Sequence, residues 1–291
     1  THCISSAASD VYKRQSLPTQ VPTGPRLTIP LRFRDRRRIT IMLTLLVLAY
    51  ITLITLPTMI PSHFKLGAAL MSFTENIKIM FLQPHLTNTT FLTLLGALGQ
   101  SILLAFLTTL LGSVLAFFFA LASTRRLAPT PLVLGIQSLM AVIRAIPTVL
   151  WVLIYSVVFG LGADAAVVGI TFHSVAYLTK VYADSMDELS PDSIETMQAM
   201  GLKKGTIIRQ AVIPYLVSSY FSWTFIRFEI NFADAIAVGA AAGAGGIGYQ
   251  LFMSSSFYFN FHEVGVMVYM ILAFALVLEI ISYRLRSVTN Q

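Results

Sequence analysis

Among the charged and amide residues inside long apolar stretches are Arg144 and the group Arg227, Glu229, Asn231 and Asp234. A charge at the centre of a bilayer costs about 2.5–3.5 kcal/mol on insertion scales, so each is a candidate for function and needs a partner. At helical spacing Arg227, Asn231 and Asp234 stand four and three residues apart and share one face, while Glu229 points away from it. Such a stripe suits the lining of a path for a charged solute. It equally suits ion pairing that only holds helices together, with Asp234 or Glu229 answering Arg227. Intramembrane carboxylates could also serve proton coupling in a carrier acting alone.

Other constellations point to less. Gly243, Gly245 and Gly248 satisfy the G-x-G-x-x-G pattern, but dinucleotide binding needs a strand before it and a helix after it in a soluble βαβ unit. Among apolar runs the same glycines read as a closely packed, flexible turn. Ser101 and His173 could suggest a membrane protease, yet Ile102 stands where the glycine after a nucleophile is expected. No G-x-x-x-x-G-K-[ST] phosphate loop occurs, so ATP hydrolysis by this chain is not expected, and neither are the Asp-rich pairs of prenyl transferases present. The single cysteine, Cys3, supplies no disulfide or metal cluster. No catalytic residue, cofactor or metal is expected.

The elements that carry these residues follow from composition. Of 291 residues 56% are hydrophobic and 11% charged, against about 25% charged in a soluble domain, and the mean hydropathy is +0.75. The net charge of +7 does not indicate nucleic acid, because the basic residues lie between apolar runs and not on one face of a soluble domain. A helix crosses the hydrocarbon core with about 20 apolar residues. Six stretches qualify: Ile39 to Leu56, Phe91 to Ala122, Pro131 to Phe159, Ala165 to Tyr182, Tyr215 to Val238 and Val264 to Tyr283. The expected fold is therefore an all-α polytopic membrane protein. Straight helices would carry Arg144 about 20 Å and Arg227 about 18 Å along the third and fifth spans, at similar depth.

Lys and Arg set the orientation, since basic residues near span ends stay in the cytoplasm. They cluster before the first span, at Arg125 and Arg126, at Lys203, Lys204 and Arg209, and at Arg284 and Arg286, whereas the opposite loops hold only Lys65 and Lys78. Both termini are expected in the cytoplasm. Residues 1–38 form a basic segment, of which 1–15 reads as non-native or disordered; 39–56 is an uncleaved first span. The external segment 57–90 contains an amphipathic stretch, Leu66 to Leu82, that suits a surface helix. The core runs over 91–283, and 284–291 is a cytoplasmic tail.

The loop 184–214 is the longest polar segment of the core. Ser190-Pro191-Asp192 reads as a helix start, and Ile194, Met197 and Met200 recur at helical spacing until Gly201, which can end the helix. A second short helix, Lys203 to Val212, is expected to stop at Pro214. Glu195-Thr196-Met197, Gly201 and Ile213-Pro214 keep the register of the EAA loop of ABC importer permeases, although Thr196, Met197, Ala211 and Ile213 depart from its wording. Arg144-Ala145-Ile146-Pro147, Arg227-Phe228-Glu229-Ile230-Asn231 and Gly243-Ala244-Gly245-Gly246-Ile247-Gly248 resemble the phosphonate/phosphate branch. Gly99-Gln100 stands where that branch is expected to show Glu-Thr.

This resemblance, covering about Phe91 to Tyr283, implies a type I importer core. It implies an elbow docked in a groove of a separate ATP-binding subunit present in two copies, through Glu195, Met197, Met200, Gly201, Ile207, Ile208, Ile213 and Pro214. It further implies a second copy of the chain and an external substrate-binding protein. Candidates for the path are Arg144, Pro147, Arg227, Glu229, Asn231 and Asp234; Gly243, Gly245, Gly246 and Gly248 are candidates for an external gate. The implied function is ATP-driven import of a phosphonate or phosphate-like oxyanion. Amino acids or other oxyanions are alternatives, and a stand-alone secondary carrier is a further one.

The orientation is directly testable. A cysteine introduced between Lys203 and Arg209 is expected to react with a membrane-impermeant reagent only from the cytoplasmic side, and one replacing His63 only from outside. Reversed labelling in intact and inverted vesicles refutes the charge argument.

Overall fold

A computed structural model of the chain describes residues 36–59, 65–125, 127–188, 196–197 and 199–289. The chain divides into two units, Thr1–Leu66 and Gly67–Gln291. In the first, α1 (Arg36–Met59) is a single apolar helix. Its threonines cost little in such a setting because Thr44 and Thr52 return their hydroxyls to the carbonyls of Thr40 and Leu48, four residues back.

The second unit is built from α2 (Leu66–Leu82), α3 (Phe91–Ser123), α4 (Thr130–Ala145), α5 (Thr148–Phe159), α6 (Ala163–Asp187), the single turn α7 (Lys204–Ile207), a π-helical turn (Ile208–Val212), α8 (Ile213–Ala242), α9 (Gly246–Ser256) and α10 (Phe261–Thr289). No strand occurs among the described residues. α3 packs most extensively on α6 and then on α8. The reason is in its buried stripe of small residues, among them Ala97, Ser101, Ala105, Gly112, Ala116 and Ala120. Small residues let helix backbones approach where no hydrophobic drive separates protein from lipid. At the α3–α6 crossing a Cβ on Gly112 would lie 2.8 Å from Ser174 Cβ.

Among the described residues three helices are long and apolar enough to cross a membrane, at Arg38–Thr58, Phe91–Ser123 and Phe261–Arg284, or up to five if each of two bent pairs is one span. The expected third span, Pro131 to Phe159, is one of those pairs: α4 and α5 meet at 92°. Pro147 has no N–H to continue the helix and disfavours helical geometry at Ile146, so α4 ends at Ala145. The break leaves carbonyls without helical partners, and Trp151 Nε1 donates to that of Ile143 at 2.9 Å. α5 then lies against α6, where Gly169 lets Val152 approach; a Cβ there would be 2.6 Å from Val152 Cγ2. The expected fourth span is α6. It is helical throughout, but it is not among the helices that qualify by length and composition, and 13 of its residues are buried.

The second bent pair, α8 and α9, turns by 47°. Gly243, Gly245 and Gly246 all hold positive φ (64°, 81° and 69°), a region that glycine enters without steric cost. After the turn α9 folds back so tightly on α8 that a Cβ on Gly248 would overlap the carbonyl of Ile236. The start of α9 is capped from α3: Gly246 N–H donates to Gln100 Oε1 at 3.2 Å and Ile247 N–H to Ser101 Oγ at 3.1 Å.

α10 is fastened at its first turn. Glu263, 1% exposed, accepts through Oε1 the backbone N–H groups of Thr87, Asn88 and Thr89 and the Thr87 hydroxyl. One carboxylate thus satisfies the amides of the segment leading into α3. Nearby, Gly265 abuts the Met80 carbonyl and ties α10 to the end of α2.

These contacts rank glycine substitutions. Gly248→Ala is expected to cost about 1–3 kcal/mol through overpacking and to lower the unfolding temperature in detergent. Gly135→Ala, inside α4 with open space around its Cα, should be neutral or stabilising by up to about 1 kcal/mol. Equal melting temperatures for the two variants refute the close α8–α9 contact.

Candidate functional site

The charged residues of α8 meet their partners inside the chain. Arg227, 2% exposed, donates through Nε to Ser174 Oγ at 3.1 Å and through Nη2 to Asp234 Oδ2 at 3.3 Å. Its guanidinium carbon also stands 5.2 Å from the centre of the Tyr177 ring, within cation–π range. One helical turn on, Asn231 is fully buried; its Oδ1 lies 3.0 Å from Ser174 Oγ and its Nδ2 donates to Thr109 Oγ1 at 2.8 Å. Thr109 in turn donates to the Ala105 carbonyl. A continuous polar knot therefore joins α3, α6 and α8. It sits in this place because Gly112 and Ser174 bring α3 close enough to α6 for such short side chains to reach.

Arg144 approaches the same turn of α6 from the other side. It occupies the last turn of α4, where a cation suits the helix dipole, and its Nη1 donates to the Ala176 carbonyl at 3.4 Å. Ala176 and Ser174 are two residues apart, so both arginines address one level of α6 even though α4 ends at the Pro147 break. Pro147 itself is exposed. Glu229 faces away from the knot, toward α10, where it lines a shallow apolar groove of about 260 Å³ together with Glu279. Asp234, the outermost of the stripe, is 22% exposed.

Of the glycine group, Gly243 is exposed, whereas Gly246 and Gly248 are buried at the α8–α9 bend. Sequence reasoning missed the two α3 side chains that hold this bend. Gln100 and Ser101 carry no local signal for that task, because their acceptor role exists only once α9 lies across α3.

On the elbow, Ser190, Pro191, Asp192 and Glu195 lie outside the described residues. The turn after them is explicit: Gly201 holds φ +77°, Leu202 N–H donates to the Met197 carbonyl at 3.2 Å and Met200 N–H to that of Thr196 at 3.0 Å. A left-handed glycine with a bond from the following residue back over five positions is the Schellman ending of a helix. Met200 is 65% exposed and Leu202 37%. Ile207 is different: at 1% exposure it packs with Leu178, Tyr182 and Met186 of α6, so it anchors the elbow to this chain's own helices. Ile208 is half-buried, and Ile213 and Pro214 are exposed.

The second elbow helix does not stop at Pro214. α7 passes through the π turn directly into α8, with Ile213 N–H donating to Ile208 O. The wider turn accommodates a proline in the first turn of α8 that a regular helix would not tolerate. The elbow is thereby the continuous start of the helix that carries Arg227, Asn231 and Asp234.

The chain is similar to known proteins. The family described as "Binding-protein-dependent transport system inner membrane component" matches residues 112–291. The phosphite transport system permease protein PtxC of Stutzerimonas stutzeri is 28% identical over 61% of this chain and 64% of its own length. The phosphate-import permease protein PhnE of Mycolicibacterium smegmatis is 26% identical over 67% of this chain and 36% of its own. The chain thus spans less than two thirds of the length of these two relatives. An inward-facing structure of the MetNI methionine ABC transporter has the same fold, with a TM-score of 0.62 at 17% identity over 71% of this chain and all of that one. With the matched segment running from the middle of α3 through the elbow to the last helix, the chain belongs to the binding-protein-dependent transport system inner membrane component family.

Proposed function

We propose that this chain is the membrane-spanning subunit of an ATP-driven importer for phosphate-class oxyanions such as phosphonate, phosphate or phosphite. The observation that carries the mechanism is the unbroken path from the Gly201 elbow through the π turn into α8. A separate ATPase subunit that grips the elbow moves the helix bearing Arg227, and with it the α8–α9 bend. Met200 and Leu202, exposed beside the Gly201 turn, suit the groove of such a partner. The names of the relatives supply the cargo class, and Arg144 and Arg227 supply cationic groups at one level of α6.

In this reading two copies of the chain form the pore, each docks one of two ATP-binding subunits, and an external binding protein delivers the anion. Both termini lie in the cytoplasm. The chain positions and gates and performs no catalysis. Residues 91–283 act as the permease core, with 184–214 as its coupling loop. A dehydrated oxyanion needs positive groups or oriented dipoles in place of water; Arg144, at a broken helix end, is the better placed of the two arginines to meet it, while Arg227 is committed to Asp234 and Ser174. That commitment also weighs against a proton-coupled carrier built on Asp234. Vanadate-sensitive, ATP-dependent uptake of phosphate or phosphonate by the reconstituted complex tests the reading; uptake driven by a proton gradient without ATP overturns it.

Two variants probe the coupling and the knot. Gly201→Val forces a β-branched residue into left-handed geometry at a cost of about 1–2 kcal/mol, and should leave ATP hydrolysis running with uptake reduced. Normal uptake by an assembled Gly201→Val complex refutes the elbow's role. Arg227→Gln leaves Asp234 without its cation and should destabilise by up to about 3–5 kcal/mol, whereas the Arg227→Gln/Asp234→Asn double variant should recover a large part of that loss. Additive losses in thermal unfolding show that the pair does not couple the two sites.

A further inference from the structure

A second polar feature lies apart from the Arg227 knot, on the side of the helices where Lys and Arg concentrate. The ends of α3 and α6 and the body of α4 enclose a cavity of about 180 Å³, lined among others by Arg125, Arg144, Thr179 and Lys180. Two carboxylates also face it, Asp184 and Asp187, but both are engaged. Lys180 Nζ is 2.6 Å from Asp184 Oδ2, and Asp187 Oδ1 accepts the Arg125 backbone N–H at 3.3 Å. Arg144 has no ion-pair partner among the described residues; its single bond there is the long one to the Ala176 carbonyl.

Thr179 provides an independent sign that the cavity is made for a ligand. It is 2% exposed, yet its Oγ1 has no hydrogen-bond partner among the described residues. Thr108, Thr109 and Thr124, also buried, return the hydroxyl to carbonyls four residues back in their own helix, whereas the Thr89 and Thr171 hydroxyls share the unpartnered state of Thr179 but do not line this cavity. A buried hydroxyl left without a partner is destabilising, and a ligand acceptor in the cavity would offset that.

We propose that this cavity binds a phosphate group, with Arg144 and Thr179 as its principal donors and Arg125 supplying further positive charge, Lys180 being paired with Asp184. A phosphate group presents strong acceptor oxygens and a negative charge, about −1 as the diester of a lipid headgroup and about −1.5 to −2 as the free anion. It can therefore take a guanidinium fork on one edge and a hydroxyl on another. The group can arrive as the free anion or as the headgroup of an acidic lipid, since the cavity lies at the basic end of the helices. α4 breaks one residue beyond Arg144 and α6 leads on toward the elbow, so a bound phosphate braces the half-helix against the coupling segment. For the free anion the inference rests on the proposed cargo class; for the lipid it does not.

The test uses the full chain in nanodiscs, in two arms. In phosphatidylcholine discs, radiolabelled inorganic phosphate is titrated at equilibrium. In phosphate-free buffer, discs are made with and without phosphatidylglycerol, and lipid retained on the protein is measured by native mass spectrometry. In at least one arm Arg144→Gln should weaken binding about tenfold or more and Thr179→Val severalfold. Thr179→Val removes only an unpartnered hydroxyl, so it should keep or raise the parent's melting temperature without ligand and serves where Arg144→Gln fails to fold. Dependence in the first arm identifies the free anion, and dependence in the second alone identifies the lipid headgroup. Binding in neither arm, or binding that Thr179→Val and Arg144→Gln leave unchanged, overturns the proposal. Absence of phosphate or phosphonate uptake by the reconstituted parent complex, with lipid-arm dependence intact, refutes the cargo reading and leaves the cavity standing.

Discussion

A guanidinium buried among apolar helices must bring its own solvation, and much of this architecture follows from doing so for Arg227. Its bonds to Ser174 and Asp234 and its contact with the Tyr177 ring are joined through Asn231 to Thr109, so that Ser174, Asn231 and Thr109 answer one another as well as the charge. Partly satisfied buried networks are costly and fully satisfied ones are specific. The short side chains in this one tolerate little separation between α3, α6 and α8. The small-residue stripe of α3 is thus as much a requirement of the polar knot as of apolar packing.

The same constraint governs the two helix breaks. Backbone groups released in an apolar setting need internal partners, and each break here has a side chain assigned to it. Trp151 attends to the carbonyl freed at Pro147, and Gln100 and Ser101 attend to the amides freed at Gly245 and beyond. Glu263 does the like for the segment before α3. Broken helices of this kind place dipole ends and turns among the packed helices, where the proposed anion path would use them.

Coupling depends on a different economy. The elbow ends in a glycine whose left-handed geometry closes one helix, and it continues through a π turn that passes a proline into α8 without interruption. Ile207, buried against α6, holds this segment to the helices, while Met200 and Leu202 remain outside. One face of the elbow is thereby fixed to the chain and the other is exposed, the division that the proposed transmission of a displacement to α8 requires.

The linear sequence determined the class of molecule. Apolar runs of spanning length, basic loops on one side and the Glu195, Gly201 and Pro214 register are local patterns, readable because helix period, bilayer thickness and glycine stereochemistry impose them residue by residue. The pairing of Arg227 with Asp234 was also within reach as one of two alternatives, since seven residues bring both to one helix face. What only the tertiary structure decided was every feature that needs a second element. The 92° turn at Pro147 replaced one long span with two helices, because α6 offers Gly169 as the surface on which α5 can lie. Pro214 continued a helix that local rules would end. Gln100, Ser101 and Glu263 acquired roles with no sequence signature, for a capping side chain is defined by what folding brings opposite it.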